Sequence, residues 1–294
     1  MTVLVPGILL TAIAWLAAWG RFGIVTEFSF FPLWIGYILV LNGVSEVLLR
    51  DSLIRRMGLS FLGLFVFSVP LWWFFELMNS SVHNWHYIFA HPISDLQYSI
   101  QASVDFSTVI PAVLSTGYCL HRVLLRHSQF SHCAPVQVRR SHLYLSVLIG
   151  IVAFCVLPIF PHETFPLVWI APLLLLEPLA YIADTPSFSR LLENGGCQLA
   201  WSIMIAALFT GLWWEIWNYY SLPKWVYTIP YVGFWKIFEM PLLGYLGYPF
   251  FGLIVFTYAG LISSILLKRN LVDLFDRSLI RSRVESTGVK DSKA

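Results

Sequence analysis

The sequence predicts an all-α, polytopic membrane helix bundle of about eight transmembrane helices, built as two parallel four-helix repeats. Three observations lead there: a strongly apolar composition, apolar runs of membrane-crossing length, and a polar motif written twice. Hydrophobic residues make up 58% of the 294 residues, charged residues only 12%, and mean hydropathy is +0.73. A water-soluble core could not hide so much apolar surface, so the solvent of this chain is lipid.

Apolar runs lie near 3–19, 31–49, 59–79, 97–121, 141–158, 165–183, 198–219 and 249–267. Each approaches the ~20 residues a helix needs to cross ~30 Å of hydrocarbon. The first has no basic residue before it and no clean small-residue cleavage site after it, so it reads as a retained helix rather than a signal peptide. The third ends in Trp73-Phe74-Phe75-Glu76-Leu77-Met78-Asn79, followed by Trp85-His86-Tyr87. The seventh ends in Leu212-Trp213-Trp214-Glu215-Ile216-Trp217-Asn218, followed by Trp225-Val226-Tyr227. Upstream, Phe31-Pro32-Leu33-Trp34 matches Phe165-Pro166-Leu167-Val168-Trp169, Asn42 falls opposite Glu177 and Arg55 opposite Arg190. One duplicated module with small insertions explains this pattern. Four spans per module return the chain to its starting side, so the repeats are parallel, related by an axis along the membrane normal. The expected units are 1–140, 141–267 and a mixed-charge tail, 268–294, with an interfacial helix and a frayed end.

With the N-terminus inside, only Arg21, Lys224 and Lys236 of the 18 Lys and Arg residues fall on outer segments, which places both termini in the cytoplasm of a cell-membrane protein. The net charge of +2 is explained by that topology, and nothing resembles a nucleic-acid module. The basic inner loop from Arg122 to His142, Arg126 included, is retained by the positive-inside rule. Cys119 and Cys155 fall within spans, Cys133 and Cys197 on the inner side, so no disulfide is expected. No P-loop, dinucleotide fingerprint, nucleophile elbow or C-x2-C pair occurs, and no cofactor is implied.

Candidate chemistry therefore rests on acids in the outer half. Glu76 and Asn79 share one helix face, and Glu215 and Asn218 repeat it. Acids there face a bundle interior or a wet cavity. The fourth span carries Tyr98, Gln101, Asp105, Thr108 and Ser115 along one stripe, and Glu239 in Phe238-Glu239-Met240-Pro241 adds an acid at similar depth. A structural alternative stands beside this one, since a Glu and an Asn on facing helices can lock two halves together. The aromatic clusters, including Trp73, Trp85, Tyr87, Trp214, Trp217, Trp225 and Tyr227, form an interfacial belt or the wall of a site for a flat or cationic ligand. His83, His86 and His91 have a spacing at which imidazoles share a metal, but solvated loop histidines explain them better, and no metal is assigned. Gly244 and Gly247, between Pro241 and Pro249, suggest a broken helix, with 227–249 as a lid.

The succession Asn218, Trp225, Tyr227, Gly233, Glu239, Pro241, Leu242, in duplicated helical modules, resembles the small integral-membrane lycopene cyclases and related carotenoid hydratases. In the cyclases the acids follow the proline, whereas here Glu239 precedes Pro241 and Leu243-Gly244 take the later places. The resemblance implies protonation of an isoprenoid double bond by a buried carboxylic acid, with the cation held against aromatic rings. On that reading Glu76 or Glu215 donates the proton, Asp105 or Glu239 accepts it, Asn79 and Asn218 orient the acids, and Trp73, Trp214 and Trp217 stabilise the cation. A non-catalytic subunit that binds pigment or lipid within a larger complex, or as a homo-oligomer, is the second expectation, and a proton-coupled carrier the third.

Overall fold

The computed structural model describes residues 3–124 and 133–275. Arg126 and positions 276–294 of the tail lie outside the described residues. In chain order the elements are α1 (Leu4–Gly20), α2 (Ile24–Glu27), α3 (Phe30–Leu49), α4 (Leu53–Met57), α5 (Ser60–Val82), β1 (Trp85–Ile88), α6 (Asp95–Phe106) and α7 (Val109–Cys119), which closes in a π-helical turn at Leu120–Leu124. Then follow α8 (Arg140–Val156), α9 (Pro161–Thr164), α10 (Leu167–Ile182), α11 (Phe188–Glu193), α12 (Cys197–Tyr220), β2 (Lys224–Tyr227), β3 (Lys236–Ile237), β4 (Met240–Pro241), a 3₁₀ turn at Leu242–Leu246, α13 (Gly247–Ile265) and α14 (Leu271–Phe275). The chain is mostly helical. Among the described residues, four helices are long and apolar enough to cross a membrane: α3, α5, α12 and the stretch Leu242–Ile265. The shorter α1, α8 and α10 are also apolar.

Helix packing follows from small residues and from satisfied backbone. α1 lies along α3 so closely that a Cβ at Gly43 would sit 2.5 Å from Leu4 Cα, a contact only glycine permits. α8 packs along α10, and α7, α12 and α13 pack against one another. Two short surface helices begin alike: the Ser52 hydroxyl accepts from Arg55 N at 3.2 Å, and the Ser187 hydroxyl from Arg190 N at 3.3 Å. Each such cap contributes about 1 kcal/mol. Asn42 and Glu177 hold these helices from behind, accepting from Ile54 N at 3.0 Å and from Phe188 N and Ser189 N at 3.0 and 2.8 Å.

The single helix expected over 97–121 is broken at Ser107–Thr108. Pro111 sits in the first turn of α7, where its missing N–H leaves no bond unmade. The freed backbone finds a partner in Ser68 of α5, whose buried hydroxyl donates to Phe106 O at 2.6 Å and accepts from Ile110 N at 3.0 Å. Irregular backbone inside an apolar bundle survives only when so satisfied.

An all-α reading misses two small ribbons. β1 pairs antiparallel with β2 in the register Trp85↔Tyr227, His86↔Val226, Tyr87↔Trp225, Ile88↔Lys224. β1 turns Trp85 and Tyr87 inward and His86 and Ile88 outward, the two-residue period of a strand. β3 and β4 form a hairpin, and the broken helix expected near Gly244 is a 3₁₀ turn running directly into α13. The absence of a disulfide is also corrected: Cys133 and Cys197 are bonded across 64 residues, because the loop before α8 folds back onto the start of α12.

Ser68→Ala should therefore lower stability by about 1–3 kcal/mol, since it strips two backbone groups of their partner at once. Thermal unfolding in detergent checks this against Ser80→Ala, an exposed position on the same helix, expected to be near neutral.

Candidate functional site

The last turns of α5 and α12 build one end of the bundle. Glu76 Oε1 accepts from Trp72 Nε1 at 2.9 Å, Trp85 Nε1 at 3.1 Å and the Tyr87 hydroxyl at 2.6 Å. Glu215 Oε1 accepts from Trp225 Nε1 at 3.3 Å, the Tyr227 hydroxyl at 2.7 Å and the Tyr248 hydroxyl at 3.2 Å. Three residues on, one helical turn later, each asparagine grips a strand by its backbone. Asn79 donates to Trp85 O at 2.7 Å and accepts from Trp85 N at 3.2 Å. Asn218 does the same to Trp225, at 2.7 and 2.8 Å. An amide carries one donor edge and one acceptor edge, which match one residue's C=O and N–H. The asparagines thus hold the β1–β2 ribbon and do not orient the acids. Burial first, then the adjacent carboxylates, push the Tyr87 and Tyr227 hydroxyls well above the ordinary tyrosine value, so both remain donors.

Beneath the ribbon lies a cavity of about 130 Å³. Trp72, Trp85, Trp214, Trp217, Trp225 and Tyr248 face it, together with Tyr87, Tyr98, Tyr227 and Phe106. Its charged lining groups are Glu27, Asp105 and Lys224. Glu27 meets the exposed His91 at 3.1 Å, and Lys224 is ion-paired to Glu239. The Asp105 side chain has no hydrogen-bond or ion-pair partner among the described residues. Its own carbonyl accepts from the Thr108 hydroxyl.

Of the residues singled out from sequence, Asp105, Trp85, Tyr87, Trp214, Trp217, Trp225 and Tyr227 share this cavity. Glu76 and Glu215 stand behind its Trp and Tyr lining; Glu215 is fully buried, and its Oε2 has no partner among the described residues. Trp73 turns away, its Nε1 bonded to Ser103 at 3.0 Å, because the α5 face it occupies packs on α6. Glu239 is engaged by Lys224 across the end of the ribbon rather than standing free as an acid. Of the loop histidines, His83 closes α5 in a left-handed conformation with φ 52°, His86 points outward and His91 pairs with Glu27. The Pro92 carbonyl and then Glu27 raise the His91 pKa above the ordinary histidine value. No group of three or more His, Cys, Asp or Glu able to hold a metal occurs among the described residues. Glu27, Lys224 and Tyr248 were not legible as site residues, since nothing in their local sequence marks a distant cavity.

Comparison with protein-family models, curated proteins and solved structures returns no significant match.

The asparagine grips generate a prediction. Asn79→Ala and Asn218→Ala should each cost about 1–3 kcal/mol, because a backbone N–H and C=O lose their partner together. Hydrogen exchange should show the Trp85 and Trp225 amides losing protection while α3 and α13 keep theirs.

Proposed function

We propose that this chain is a cell-membrane protein of about eight transmembrane helices, in two parallel four-helix repeats with both termini cytoplasmic, which binds and modifies an isoprenoid-like lipid by carboxylic acid–base chemistry. The observation that carries the reading is the aromatic cavity in which one carboxylate, Asp105, has no partner among the described residues. The twice-made Glu–Trp–Tyr and Asn–strand networks, the paired serine caps and the antiparallel β1–β2 register support the repeat.

At about 130 Å³ the cavity is close to the ~150 Å³ that takes up a benzene ring, so a long isoprenoid enters by one end. Asp105 is the acid–base group in reach of that end and accepts the proton. Glu76 and Glu215 lie one tyrosine hydroxyl behind the wall and serve as proton reservoirs. Glu215 is the stronger candidate, because a buried oxygen without a partner is tolerable on a neutral acid and costly on a carboxylate. Glu239 is set aside by its pairing with Lys224.

Asp105→Asn should lower conversion of a linear isoprenoid by on the order of 10²–10⁴, with normal membrane levels, as read by chromatography of lipid extracts. Glu215→Gln should do the same and Glu76→Gln should be tolerated. Full activity in all three variants would remove the acid–base reading. It would favour the second reading, a pigment- or lipid-binding subunit, for which the purely structural bonding of Asn79 and Asn218 speaks.

Topology has its own test. Cys133 and Cys197 lie at the basic end, near the buried His121–Ser202 contact. A cytoplasmic location keeps such a pair reduced in the cell. Both thiols should then react with a membrane-permeant maleimide in intact cells and close to the disulfide in air. A bond already closed in freshly quenched cells would put the basic end on the oxidising side.

A further inference from the structure

The charge around the cavity goes beyond that reading. Lys224 is neutralised by Glu239, and its ammonium also donates to Tyr219 O at 3.1 Å. Glu27 is met by His91. Asp105 is then the one acidic or basic lining residue whose side chain has no hydrogen-bond or ion-pair partner among the described residues, and around the same space stand Trp72, Trp85, Trp214, Trp217, Trp225 and Tyr248. Indole and phenol faces are the negative ends of ring quadrupoles, and they attract a cation most where water is scarce. We propose that this cavity is a binding site for a methylated ammonium group.

The methylated form follows from the wall. A primary ammonium brings three N–H donors, each of which needs an acceptor when buried. Beside Asp105 the polar groups of the wall are few, among them the oxygens of Tyr87, Tyr227 and Tyr248, whose hydroxyls donate to Glu76 and Glu215, and Gln101, whose amide nitrogen donates to the Glu27 carbonyl at 2.7 Å, whereas most of the wall is ring and aliphatic surface. A trimethylammonium group asks for no hydrogen bond. It needs only a countercharge and ring faces, and it is close in size to the ring that a cavity of this volume accepts. The same chemistry is carried by free quaternary amines and by the choline headgroup of a phospholipid.

The test is a binding measurement, so it does not depend on turnover. The full chain, purified in an uncharged maltoside detergent, is titrated by calorimetry with choline and with 3,3-dimethylbutan-1-ol, which has the same shape without the charge. Choline should bind about tenfold or more tightly than the alcohol. Asp105→Asn should reduce choline to the level of the alcohol, while Asp95→Asn, exposed at the start of the same helix, should leave it unchanged. Thermal unfolding of Asp105→Asn confirms that the variant is folded, and the choline–alcohol comparison in the unmodified protein stands even if it is not. Dihexanoylphosphatidylcholine binding more tightly than choline would name a lipid headgroup as the source, and weaker binding a free amine. Equal affinities for choline and the alcohol, no binding of choline, or an unchanged affinity in folded Asp105→Asn would each overturn the proposal.

Discussion

A carboxyl group placed in an apolar bundle without a cation must be met by neutral donors, and this requirement organises the ribbon end of the molecule. Glu76 and Glu215 each draw three such donors to one oxygen, and all of them are Trp or Tyr. These side chains combine large apolar bodies with a single polar tip, so they satisfy the acid while packing in the core. Two of the three donors to each acid come from the strand that follows its helix, Trp85 and Tyr87 to Glu76 and Trp225 and Tyr227 to Glu215. Strand period and ribbon register are therefore fixed by the acids. The cavity lies between the ribbon held in this way and the helices below.

The helices were legible because hydropathy is a property of contiguous sequence, and every predicted apolar run contains one. The motif pairs were legible because both copies keep the same residue types at the same turn spacing. The β1–β2 ribbon was not: four residues each, Trp85–Ile88 and Lys224–Tyr227, are too short for a periodic signal and pair across about 140 positions. The break at Ser107–Thr108 escaped for a related reason, since its stabilising group, Ser68, belongs to another helix. The Cys133–Cys197 bond and the Lys224–Glu239 pair depend on loop paths that composition does not encode. Of the candidate acids, sequence could not tell which one would face open space.

Symmetry separates frame from site. What is made twice is bonded alike: the asparagine grips, the serine caps and the three donors to one oxygen of Glu76 and of Glu215. The cavity takes ring wall from both copies, Trp85 and Tyr87 with Trp225 and Tyr227, but its unpartnered acid from one. Asp105 has no acidic equivalent in Leu242–Leu246, the stretch leading into α13, and in the duplicated motif Lys224 falls opposite Asn84. The third donor differs too, Trp72 on α5 for Glu76 but Tyr248 on α13 for Glu215. A frame needs equivalence to close on itself, whereas a site for one ligand needs a single polarity.

That polarity favours a cation. A lining acid without a counter-charge among the described residues ionises most readily when positive charge lies beside it, and in a medium of low dielectric the two then attract far more strongly than in water. An anionic ligand would meet Asp105 with no free cation in the wall to offset it among the described residues, because Lys224 is held by Glu239. A neutral isoprenoid end gains only from the ring walls until it acquires positive charge. A transient carbocation and a resident ammonium thus draw on the same two features, the ring faces and Asp105. They differ in whether the cation is made in the cavity or arrives there.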